Sequence, residues 1–197
     1  MKTSSAPATL KPILFNTEMV RAILAGEKTC TRRIAKSEKP PFVVGDILYV
    51  RETWCINTFG THYRADWPNG ACPEMDCDDQ WHPSIHMGKD IARIFLRVKS
   101  VERGPLRGME VADFQKEGVK PQNRPVGCKC AWAQEGCMER PCENRDAYEW
   151  WRYMTSFRKL WDSTLPAASV RTLGWKANPD VWVIEFERTE RPESVKD

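Results

Sequence analysis

Little in this chain pulls in one electrical direction. Thirty basic and twenty-seven acidic residues leave a formal charge of +3 over 197 residues, so wholly electrostatic, non-specific binding to a polyanion is not its design. Any nucleic-acid contact must come from a local basic face. Long hydrophobic runs are missing too. ILYV at 47–50 and VWVI at 181–184 fall far short of the roughly 20 apolar residues of a membrane helix, which predicts no membrane association. The opening MKTSSAPATL has no apolar segment of a secretory signal, and the expectation is a cytoplasmic protein. There is no GxGxxG turn, no phosphate loop and no GxSxG elbow, so nothing points to a doubly wound nucleotide fold, and no organic cofactor is expected. The zinc deaminase signature is also lacking, because PCENR and CPEMDC do not supply the H-x-E and P-C-x-x-C that it requires.

What is present is 41% hydrophobic and 29% charged residues, the composition of a folded globular chain. The length suits one domain with an insertion. Nine tryptophans form a heavy load, and tryptophan serves both cores and base-stacking sites. Eight cysteines without an export signal read as reduced thiols or metal ligands rather than disulfides.

Along the chain, Asn16 or Thr17 caps a short helix with Glu18 in its first turn. Met19 and Ile23, and Val20 and Leu24, give it an apolar side, and Gly26 ends it. Residues 29–34 are β-branched enough to be extended. GDILYVRETW is a turn feeding a strand, ARIFLRVKSVE alternates as a strand with Ile94, Leu96 and Val98 on one face, and VWVIEFER is a closing strand. GMEVADFQKEGV is a short helix ending at Gly118. RDAYEWWRYMTSFRKLWDSTL is the longest helix, with Tyr148, Trp151, Phe157, Leu160 and Trp161 facing a core. Short strands interleaved with short helices, without βαβ rhythm, predict α+β with a small curled sheet or barrel.

The chemistry concentrates in Lys28-Thr29-Cys30-Thr31-Arg32-Arg33. If extended, Thr29, Thr31 and Arg33 share one side and Lys28, Cys30 and Arg32 the other. Arginine forks suit phosphates or base edges. A lysine crowded by guanidiniums has its pKa lowered and can act as a base towards a threonine hydroxyl. A solvated basic strand edge would present the same pattern. At the end of the next strand stand Arg51, Glu52 and Trp54, either facing a site or forming a local ion pair. WHPSIHM offers Trp81, His82, Ser84 and His86, and Pro83 argues for a ligand-contacting loop rather than a helix with a metal-binding pair of histidines. Finally, Cys128, Cys130, Cys137 and Cys142 fall within a segment without periodicity, 122–145, that cannot bury its own core. Four thiolates there fit a structural zinc, with Cys72 and Cys77 as alternative ligands and four reduced thiols as the alternative state.

These segments, in this order, resemble the ASCH family of the PUA-like superfamily, closest to a phage- and prophage-borne subgroup. The matching pieces are KPILFNTEMVRAILAGEKTCTRRI, VGDILYVRETW, YRAD, WHPSIHM, ARIFLRV with FQKEGV, and FRKLWDS with NPDVWVIEFE. They cover most of 11–187, a single domain with 122–145 as an insertion outside the family core. The resemblance implies a small β-barrel flanked by helices and a cleft at the GxKTxTRR segment that binds RNA or a modified nucleobase. Arg32, Arg33 and Arg51 would meet phosphate or base edges, and Trp54 and Trp81 would stack. It also implies an alternative, the amidohydrolase activity of one branch on N4-acetylcytidine, through a lysine, a threonine and a glutamate. Lys28 and Thr31 match the first two. Arg97 falls at the expected glutamate position, which leaves Glu52 as the stand-in acid. A phage accessory protein working through protein contacts, with the cysteine-rich insertion as docking face, is a further alternative. A nuclease metal site on EMDCDD ranks below a solvated acidic loop.

Overall fold

The computed structural model describes residues 9–67, 80–122 and 145–193. Its elements are β1 (Leu10–Leu14), α1 (Thr17–Leu24), β2 (Cys30–Ile34), β3 (Ile47–Arg51), β4 (Trp54–Asn57), β5 (Gly60–Tyr63), β6 (Phe95–Pro105), α2 (Val111–Lys116), α3 (Arg145–Ser163), α4 (Val170–Leu173) and β7 (Asp180–Thr189). The class is α+β, as the sequence predicts.

Helix α1 starts where its cap dictates: the Asn16 side chain accepts from the Met19 N–H at 2.9 Å. Gly26, at φ 74°, turns the chain out of it into β2. One sheet carries strand order β1-β3-β6-β7-β2, with β1 and β3 parallel and the other neighbours antiparallel. A register shift between Val98 and Ser100 bends the long β6–β7 ribbon and curls the sheet. The expected barrel is not closed. Strands β1 and β2 remain the two edges, and a side chain spans the gap: Arg33 Nη2 donates to the Leu14 carbonyl at 2.9 Å. Pro12 in β1 has no N–H to offer a facing strand, which suits it to an edge.

Two apolar cores flank this ribbon. Ile13, Leu48, Val50, Leu96, Ile184 and Phe186 pack against Val20 and Ile23 of α1. On the other side, α2 and α3 close over Leu106, Phe114, Phe157, Trp161, Trp175 and Val181. Phe114 sits among the rings of Trp150, Tyr153, Phe157 and Trp175, with centroids 5.5–6.5 Å away. Much of the tryptophan load is thus structural. Trp150 and Trp161 satisfy their indole N–H on the carbonyls of Met109 and Leu173. The α3 face expected from periodicity holds at Phe157, Leu160 and Trp161, and Trp150, Tyr153 and Met154 join it. The Tyr148 side chain lies outside those described.

Candidate functional site

Lys28 follows the α1 turn and enters the protein rather than the solvent. Its side chain is fully buried. Nζ donates to Glu117 Oε2 at 2.6 Å and to the Glu117 carbonyl at 3.0 Å, and lies 5.6 Å from the Phe15 ring centroid. The other Glu117 oxygen, Oε1, takes Arg32 Nη1 at 3.0 Å, and Arg32 Nη2 lies 3.4 Å from Asp113 Oδ1. One carboxylate therefore holds two cations, one on each oxygen. The backbone enforces this. Lys28 and Glu117 form an antiparallel bridge, the Thr29 N–H donates to the Lys116 carbonyl at 2.8 Å, and Gly118 leaves α2 at φ 73°.

Burial pulls the Lys28 pKa below its ordinary value, and the Glu117 carboxylate opposes that pull without cancelling it. Cys30 lies in the same setting, and burial, reinforced by Glu117, pushes its thiol up to about 12. It is an inert core residue at neutral pH. Thr31 is buried, and its Oγ1 accepts from Arg33 Nη1 at 2.8 Å, which leaves the hydroxyl proton free for a ligand or base.

Beside this cluster lies an open cavity of about 740 Å³. Thr31, Arg32, Arg33 and Glu117 line it together with Phe157, Leu160, Trp161 and Leu165, and with Asn16 and Thr17 at the start of α1, Thr53 and Ser84 contributing. Lys28 is not among the lining residues and reaches the cavity through Glu117.

The sequence-predicted residues divide accordingly. Thr31, Arg32, Arg33 and Ser84 converge on the cavity, and Lys28 backs it. Thr29 is exposed outside it. Glu52 is paired with Arg93 at 2.9 and 3.0 Å, and Arg93 goes on to Asp66 at 2.7 Å. Burial raises the Glu52 pKa and Arg93 opposes the rise. Arg51 donates to the Ile85 carbonyl. Trp54 packs on His82 with ring centroids 4.8 Å apart, Trp81 lies under the Arg64 guanidinium at 5.4 Å, and His86 is exposed. None of these lines the cavity. Arg97 is exposed on β6, opposite Ile47 and Glu187, with β7 between it and β2. Cys72, Cys77, Cys128, Cys130, Cys137 and Cys142 lie outside the described residues. Among the described residues no group of three or more His, Cys, Asp or Glu is placed to hold a metal ion, and no helix is long and apolar enough to cross a membrane.

Sequence reasoning missed Glu117, Asp113 and the Phe157–Trp161 wall. Glu117 stood inside the quoted FQKEGV segment, where its helix-end position gave no sign that Lys28 would meet it.

No family model matches the chain, and no curated protein does. Among solved structures, it is similar to the ASCH domain from Lactobacillus crispatus JV V101, with TM-score 0.42 and 11% identity over 93% of this chain and 81% of that one. It is also similar to a DUF984 protein from Enterococcus faecalis V583, with TM-score 0.43 and 10% identity over 95% and 79%.

Proposed function

We propose that the cavity beside Lys28 binds a nucleobase, free as a nucleoside or carried on RNA. The observation that supports this is its mixed lining. Thr31, Arg32, Arg33 and Glu117 offer donors and acceptors, and Phe157, Leu160 and Trp161 add apolar surface. A base likewise presents a hydrogen-bonding edge and a flat π-face. The volume of about 740 Å³ lies within the roughly 300–1,000 Å³ of small-ligand sites. Titrating tryptophan fluorescence with nucleosides and single-stranded RNA at low salt tests it. Saturable quenching supports binding, and none at millimolar nucleoside counts against it.

Glu117 favours a second reading, hydrolysis of an acylated amino group on cytosine. Lys28, its pKa lowered by burial, takes the Thr31 proton as Oγ attacks the acyl carbon. The C–N bond breaks, the freed amine carries that proton away, and water cleaves the threonyl ester to a carboxylic acid and restores Thr31. Glu117 orients the Lys28 amine by its 2.6 Å contact, whereas Glu52, expected from sequence as the acid, is held by Arg93. Incubation with N4-acetylcytidine tests this. Release of cytidine and acetate that Thr31→Val abolishes supports it, and intact substrate at a high protein load overturns it.

A further inference from the structure

We infer that the ligand is a polynucleotide single strand, and that a nucleotide flanking the bound base lies in a second cavity between β1 and β2. This rests on the nucleobase reading of the first cavity and extends it. The second cavity measures about 320 Å³ and shares Leu14, Arg33, Ile34 and Lys36 with the first, so the two form one groove. It occupies the place where a closed barrel would have paired its edge strands. Phe42 and Trp182 floor it, and Lys36, Ser37 and Lys39 rim it.

The charge of this rim suits phosphate. The acid in the segment, Glu38, is drawn aside by Arg103 at 2.6 Å, and neither lysine has an ion-pair partner among the described residues. Arg33 stands at the junction of the cavities. Its bonds to Thr31, the Arg32 carbonyl and the Leu14 carbonyl use three N–H groups of the five that a guanidinium carries. Two remain for the phosphate joining a base in the first cavity to its neighbour in the second. A peptide is the poorer fit. Strand addition needs N–H and C=O groups in register along an edge. Pro12, which lines this groove, has no N–H, and the Leu14 carbonyl is already taken by Arg33.

The test compares one nucleoside with a dinucleotide and a hexanucleotide of the same base on the full-length protein, and repeats each with Lys39→Glu. Lys39 is exposed and lines the second cavity alone. The dinucleotide and hexamer should bind at least about tenfold more tightly than the nucleoside. Lys39→Glu should remove most of that gain, lower the salt slope by about 1 and leave nucleoside binding unchanged. If the nucleoside binds but the longer ligands bind no better, or Lys39→Glu leaves them unaffected, this inference falls and the base-binding reading stands. If neither nucleoside nor oligonucleotide binds, the base-binding reading fails and takes this one with it. Saturable binding of an acidic peptide, lost in Lys39→Glu, with no oligonucleotide binding would reassign the groove to a protein partner.

Discussion

Lys28 Nζ lies 2.6 Å from Glu117 Oε2 although 89 residues separate them in the chain. The pair is buried, and Arg32 makes it a triad. Removing one member of a buried ion pair typically costs about 3–5 kcal/mol, since the remaining charge keeps its desolvation penalty without compensation. Glu117→Gln should therefore destabilise the protein by about that amount in urea denaturation at pH 7. A loss under about 1 kcal/mol would mean that the triad contributes little to the fold.

Gly118 holds Glu117 in place. At φ 73°, an added Cβ would lie 2.7 Å from the Ala22 Cβ and 3.0 Å from the Lys28 Cβ. Gly26, at φ 74°, has open space around it. Both alanine variants share the backbone strain, and only Gly118→Ala adds a collision, so it should cost more than the about 1 kcal/mol expected from conformation alone. Thermal melts of the two proteins check this. Equal losses would show that the close approach at Gly118 is unimportant.

The depressed Lys28 pKa fixes the sign of a pH dependence. Below the folded value, both folded and unfolded chains carry the ammonium. Between that value and the ordinary 10.5, the unfolded chain binds more protons, so the Lys28 contribution to stability grows as pH rises. Cys30 acts oppositely between 9.0 and about 12, where the unfolded chain loses its thiol proton first. Unfolding free energies should be compared in a Cys30→Ala background, with and without Lys28→Met. The protein that keeps Lys28 should gain stability relative to the Lys28→Met variant as pH climbs towards 10. A falling difference would contradict the assignment.

Glu52 and Arg93 belong to the scaffold beneath β4 and β5. The carboxylate is buried and Arg93 partly exposed. Arg93→Met should destabilise by about 3 kcal/mol, and adding Glu52→Gln should recover part of that by removing the stranded charge. Nucleoside affinity of the folded variants should not change. A parallel loss of affinity would return Glu52 to the site.

What was legible in the sequence was local. Asn16, Glu18 and Gly26 delimit α1 through contacts within a few residues, and the alternation of Ile94, Leu96 and Val98 marks a strand whatever its neighbours. The residue types of the basic segment 28–33 fitted a pocket and a solvated strand edge equally well. What was illegible depended on partners distant in the chain. Glu117 meets Lys28 through a bridge that no local pattern encodes, and Glu52 looked equally available until Arg93 claimed it. Trp54 and Trp81 read as free to stack because nothing in WHPSIHM showed that His82 and Arg64 would cover them. The aromatic wall comes instead from α3, whose periodicity marked Trp161 as a core residue without showing that its packing also lines a cavity. Barrel closure failed for a similar reason: whether β1 and β2 pair depends on the curl of β6 and β7 and on an edge proline.

The central claim is tested most directly by heteronuclear NMR of the Thr31 methyl and the indole N–H groups during titration with cytidine. Binding in the cavity predicts saturable shifts at Thr31 and at the Trp161 indole, with the Trp54 indole unmoved. Shifts centred on Trp54 or Trp81, or none at millimolar ligand, would contradict it.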